Sequence, residues 1–166
     1  AIQSENSNQI FIQSLTSIAL GRGPAVTVTE LVPDFDYFRG SFGAKSTFPL
    51  YTDKLCQQPN IPAHLVEVLS SELGIEVNAE DVAAYVIGQL GTGAYTELFA
   101  DELAESSPCV IFTKSEKTFK SVCALGKEII FQSTAGNRAA DLNEFGVSQK
   151  SLYRGKSKMM KASSTG

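Results

Sequence analysis

A chain of 166 residues, 43% of them apolar, can bury one core, and no run of 18 uninterrupted apolar residues is present to span a membrane. Its three cysteines, Cys56, Cys109 and Cys123, show no Cys-x-x-Cys spacing, so the spacing points to neither a disulfide framework nor a zinc ribbon and fits a reducing cytoplasm. The net charge of −4 hides an asymmetry: residues 1–110 hold four basic side chains against fourteen acidic ones, a balance of −10, whereas residues 111–166 hold ten against four, a balance of +6.

Ile10 to Leu20 and Ala25 to Leu31 are rich in β-branched and aromatic residues and flank Gly21-Arg-Gly-Pro24, turn chemistry that predicts a pair of strands. Thr47 to Tyr51 predicts a third, short strand. Asn60 is placed to cap a helix that starts at about Pro62, where proline's missing N–H costs little, and stops at Leu73 before Gly74. Asn78 caps a second helix from Ala79 to about Leu90, and Thr92 a third that ends near Ser106-Ser107-Pro108. Val82, Tyr85, Val86 and Leu90 recur at the i, i+3, i+4, i+8 spacing of a core-facing stripe, as do Tyr95, Leu98, Phe99 and Leu103. Cys109 to Phe112 reads as a buried apolar strand. Thr113 with Glu116 forms the capping box of a long helix from about Lys114 to Thr134, which Gly136-Asn137 closes. Cys109 and Cys123 fall on these apolar surfaces and read as small buried hydrophobes. The expectation is an α+β (mixed α/β) domain over residues 1–137, with a small sheet of three to five strands covered by about four helices. Residues 138–166, with little periodicity, read as an irregular basic extension.

The order of these pieces says more than any one of them. It runs from an acidic helix start through Tyr85 and the hinge Gly91-Thr-Gly-Ala-Tyr95 to Phe99-Ala-Asp-Glu-Leu103, Pro108 and an apolar run. That order resembles the C-terminal specificity region of the type ISP restriction-modification enzymes, single polypeptides that join a DNA translocase, an adenine methyltransferase and a target-recognition domain. The threonine-valine run after Pro24, the acidic turn Val32-Pro-Asp-Phe-Asp36 and the signature Phe48-Pro-Leu-Tyr51 extend the likeness upstream. Ser115 to Thr134 is similar to the family's long helix, so roughly residues 9 to 135 are covered. The family's glycine-rich loop for S-adenosylmethionine, its Asn-Pro-Pro-Tyr catalytic segment and its helicase and nuclease motifs do not occur in this sequence. The resemblance therefore implies a recognition element without a cofactor of its own. The parent enzyme it implies uses S-adenosylmethionine, and ATP and Mg where translocase and nuclease domains are present. The first residues, Ala-Ile-Gln-Ser, and the last, Ser-Thr-Gly, read as cut ends of a longer polypeptide. The chain also stops before the aromatic strand segments that complete the family's region.

The partners so implied are double-stranded DNA and the methyltransferase domain of the same polypeptide, with no membrane. Arginine's planar fork matches the two acceptors of guanine, and lysine mainly anchors phosphate. The candidate base-reading residues are Arg22, in the turn between the first two strands, and Arg39, in the glycine-containing loop Phe38 to Lys45 that also carries Lys45. Arg154, Lys156, Lys158 and Lys161 form a cluster without acidic neighbours, which fits phosphate anchoring and fits a solvated tail equally well. Lys114, Lys117, Lys120 and Lys127 fit the solvated face of the long helix.

No catalytic or metal residue is assigned. Gly91-Thr-Gly93 follows a helix instead of a strand and reads as an interhelical hinge, not a phosphate loop. Asp34 and Lys45 lack the second carboxylate of a Mg²⁺ nuclease, since Gly43 stands where it is needed. His64, the single histidine, has neither a metal co-ligand of its kind nor a nucleophile to activate. A reading from another class stays open, a protein-interaction module whose acidic helical face docks on a partner or on the rest of its own chain.

Overall fold

The computed structural model describes residues 8–14, 23–34, 46–105 and 108–134. Three short strands, β1 (Phe11–Ser14), β2 (Val26–Thr29) and β3 (Ser46–Pro49), form an antiparallel sheet in the order β2-β1-β3. In β1 the central position follows from the register, which sets Ile12 opposite Val28 on one side and Phe48 on the other. Side chains alternate between the two faces. Ile10, Ile12, Val26 and Val28 meet the helices, while Phe11, Gln13, Thr27, Thr29 and Thr47 share the opposite face. Beyond β3 the signature residues Leu50 and Tyr51 are buried. Leu50 donates its N–H to Ile10 O at 2.9 Å, and the Gln9 side chain takes the place of a strand at Tyr51, donating to its carbonyl at 2.7 Å and accepting from its N–H at 3.0 Å.

Five helices follow: α1 (Ala63–Leu73), α2 (Ala79–Leu90), α3 (Gly93–Leu98), α4 (Ala100–Glu105) and α5 (Glu116–Ser133). Gly74 ends α1 at φ 66°, a left-handed cap that costs glycine no Cβ clash. Pro62, not Asn60, is the residue flanking its start, and Asn60 Nδ2 donates instead to Pro49 O at 3.1 Å, tying the loop to β3. Asn78 caps α2 as its sequence indicates, accepting from Asp81 N at 2.8 Å while the Asp81 carboxylate accepts from Asn78 N.

Helix α2 carries the core. Leu90 packs with Ala25, Val26, Tyr95 and Leu103; Val82 and Tyr85 pack with Leu69, Leu73, Phe119 and Cys123; Ala83 and Ile87 pack with Ile10, Val28 and Leu50. It is buried on more than the one stripe read from its periodicity because sheet, α1 and α5 each press on it. The ring of Tyr85 is stacked between Phe112 and Phe119, with centroids 5.2 and 4.9 Å away. Against α5 the two backbones nearly touch: a Cβ on Gly126 would stand 1.7 Å from Ala84 O, and one on Gly88 2.2 Å from Val122 O.

Three expectations are corrected. Cys109 to Phe112 is not a buried strand: it joins no sheet among the described residues, and Cys109 and Ile111 are exposed. Side chains hold it instead. Tyr95 Oη donates to Cys109 O at 2.9 Å and accepts from Cys109 N at 3.1 Å, and Gln89 bonds both the N–H and the carbonyl of Ile111 at 2.9 Å. Tyr85 Oη donates to Ile111 O at 2.9 Å and accepts from Thr113 N at 3.2 Å. Second, the expected single helix after Thr92 breaks at Phe99 into α3 and α4, which turns Leu98 out to 74% exposure while Tyr95 and Leu103 stay inside. Third, α5 is capped by Ser115, whose Oγ accepts from Thr118 N at 3.3 Å, while Thr113 Oγ1 accepts from Ser115 N one step earlier. Asn137, the expected domain boundary, and the extension 138–166 lie outside the described residues.

Candidate nucleic-acid interface

All of the candidate DNA-contacting residues, Arg22, Arg39, Lys45, Arg154, Lys156, Lys158 and Lys161, lie outside the described residues. The stems that carry the first three are described, and the register fixes where they meet the sheet. Ser14 at the end of β1 lies opposite Val26, the first residue of β2, and opposite Ser46, the first residue of β3. The segment that carries Arg22 thus rejoins the sheet at the same end as the segment that carries Arg39 and Lys45. Neighbouring strands lie about 4.8 Å apart, so the two points of return are separated by roughly the width of β1.

Each stem is fastened. On the first, Ala25 N donates to Leu90 O at 2.8 Å and Thr96 Oγ1 donates to Gly23 O at 2.5 Å, which ties the residues after Arg22 to the α2–α3 hinge. Gly23 has φ 111°, a conformation that L side chains rarely adopt. On the second, Gln13 Nε2 donates to Asp34 O at 2.8 Å and to Thr47 Oγ1 at 3.3 Å. Neither Gln13 nor Thr96 stands out in the sequence, because a single polar residue in a strand or at a helix start has many ordinary uses. Only the register shows what they hold.

The described remainder is unsuited to phosphate. Lys114 pairs with Glu72 at 3.1 Å, Lys120 with Glu116 at 2.6 Å and Lys127 with Asp81 at 3.0 Å, in keeping with a solvated helix face. The corner formed by α3 and α4 exposes Glu97, Leu98, Asp101 and Glu102.

Chemically reactive arrangements are few. A cavity of about 250 Å³ beside α5 is lined by Ile75, Glu76, Asp81, Phe119, Cys123 and Lys127, among others. Burial pushes the Cys123 thiol up to about 11, with the Asp81 carboxylate adding to the shift and Lys127 opposing it, so the sulfur stays protonated and donates to Asp81 O at 3.4 Å. Gly91 and Thr92 close α2 and open α3, the hinge expected of them. His64 is exposed in the first turn of α1. Among the described residues no group of three His, Cys, Asp or Glu side chains is placed to hold a metal ion, and no helix is long and apolar enough to cross a membrane.

The fold and the site together define a small α+β domain in which two variable segments spring from one end of a three-stranded sheet and a buried helix backs that sheet. A cryo-EM structure of a DrdV–DNA complex contains the same fold, with a TM-score of 0.60 and 21% identity. The likeness covers 76% of this chain and 12% of that one, so the chain spans about an eighth of that protein's length. No curated protein matches. The chain belongs to the type ISP C-terminal specificity domain family, whose model matches residues 1–165, beyond both ends of the stretch in which the motifs are legible.

Proposed function

We propose that this chain is the DNA target-recognition part of an adenine-specific DNA methyltransferase or type ISP restriction-modification enzyme, and that it positions the parent enzyme on its DNA site in the cytoplasm. Membership of the specificity-domain family over residues 1–165 is the observation that carries the reading. The fold shared with part of a DNA-bound restriction enzyme supports it. S-adenosylmethionine, with ATP and Mg where the parent translocates and cleaves, acts in other domains of that parent.

In this reading the end of the sheet at Ser14, Val26 and Ser46 faces the duplex. Arg22 and Arg39 reach base edges in the major groove, Lys45 supports them, and Arg154, Lys156, Lys158 and Lys161 neutralise phosphates. The carboxylates around the exposed Leu98 repel phosphate, which favours that corner as the side turned to the methyltransferase domain of the same polypeptide.

The test is Arg39→Ala in the full-length enzyme, titrated against its own site, defined by the adenines it methylates, and against a scrambled duplex. The expected loss is about 1–3 kcal/mol on the cognate duplex and little on the scrambled one. Equal losses on both would make Arg39 an anchor instead of a reader.

A further inference from the structure

Gln13 sits at the middle of β1 with 1% of its surface exposed, on the sheet face opposite the helical core. A buried amide in that place is costly unless its polar atoms are used. Its Nε2 is used twice, on Asp34 O at 2.8 Å and Thr47 Oγ1 at 3.3 Å, whereas Oε1 finds no hydrogen-bond partner among the described residues. An apolar side chain of the same length would fill the position without an unpaired acceptor, so packing alone does not account for the amide. What singles out its two partners is their place in the chain. Asp34 directly precedes residues 35–45, and Thr47 lies two residues past Lys45, so one amide nitrogen bridges the outgoing and returning stems of the segment that carries Arg39 and Lys45.

We infer that Gln13 is a positioning residue for DNA reading: it clamps the two stems of the 35–45 segment together, so that the segment's side chains meet base edges with less freedom to give up on binding. An eleven-residue loop with unfastened ends spreads over many arrangements, and each must be given up when the complex forms. Fastening the stems removes part of that cost in advance. Thr47 is exposed and contributes only its hydroxyl, so the clamp is asymmetric, with Asp34 O the shorter and stronger contact. The inference rests on the reading of the 35–45 segment as facing DNA.

The experiment uses the full-length enzyme with Gln13→Met, which keeps length and removes both bonds, and Thr47→Val, an exposed change that leaves the fold intact if Gln13→Met does not. Each is titrated against cognate and scrambled duplexes, alone and combined with Arg39→Ala/Lys45→Ala. Gln13→Met should weaken cognate binding roughly three- to tenfold, Thr47→Val less, with scrambled DNA bound as before. In the Arg39→Ala/Lys45→Ala background both effects should vanish, because the clamp acts only through those side chains. Parallel losses on both duplexes, or losses that add fully to those of the loop variant, would reduce Gln13 to a structural residue and overturn the inference. If the loop variant weakens cognate binding and neither clamp variant does, the inference fails while the reading of the segment stands. If the loop variant itself changes nothing, the reading of the segment fails and takes the inference with it.

Discussion

Cys123 and Cys109 show how far one residue's surroundings decide its chemistry. The Cys123 thiol is buried against Asp81 O and pushed up to about 11, whereas the side chain of Cys109 is exposed on the segment that follows α4. A thiol reagent near pH 8 should therefore modify Cys109 quickly and Cys123 only on unfolding, as peptide mass spectrometry would show. The same burial sets a pH dependence. The folded thiol holds its proton above the ordinary 9.0, so stability from this site is whole below 9.0 and is lost as the pH rises through about 11. Denaturant midpoints across that range, compared with those of Cys123→Ala, would measure it; a difference that does not shrink with rising pH would show that the thiol is not linked to folding. Asp53 behaves in the opposite sense. Backbone N–H groups of Gln58, Gln57 and Leu55 hold its carboxylate below 3.8, so the turn it organises loosens only as acid approaches that lowered value.

At the scale of elements, the contact of α2 with α5 depends on two glycines that the sequence does not mark. Gly88→Ala and Gly126→Ala each drive a Cβ into the facing backbone, with 2.2 and 1.7 Å available, and backbone cannot rotate aside as a side chain can. Each should cost at least about 3 kcal/mol by denaturant unfolding. Gly74→Ala, at φ 66° with nothing within 4 Å of the new carbon, should cost only about 1–2 kcal/mol for its left-handed backbone. If the three costs are alike, the helices have moved apart to accommodate the methyl groups. What is legible in the sequence at this scale is what local chemistry determines. Asn78 with Asp81 and the Gly74 stop are contacts between near neighbours, and they bound α2 and end α1 as their residue types require. Cys109 to Phe112 misleads because its composition matches a strand, while its hydrogen-bond partners Tyr85, Gln89 and Tyr95 lie on helices earlier in the chain. Leu98 misleads because nothing in its periodicity announces the break at Phe99.

Over the whole molecule, charge divides the work. The described helices are acidic, and three lysines on or beside them are committed to carboxylates, which leaves the holding of phosphate to basic residues elsewhere in the chain. Changing Lys156, Lys158 and Lys161 together to alanine in the parent enzyme should weaken cognate and scrambled duplexes alike. The slope of log affinity against log salt should flatten by about 0.9 for each phosphate that is no longer neutralised. An unchanged slope would move the anchoring surface away from this cluster. The family is readable from the order of motifs, and the candidate readers from loop composition, but the stems that hold them are not: Gln13 meets Asp34 and Thr47 only after the sheet has paired. The side-chain hold on residues 109–113 has a consequence for handling the protein. Alternate residues Cys109, Ile111 and Thr113 turn their backbone groups to one side, where Gln89 and two tyrosines already occupy them. A run as apolar as Cys-Val-Ile-Phe, with a bare edge, would recruit strands from other copies. Here that edge is blocked before it can act as a template, and Gln89 guards solubility as much as structure.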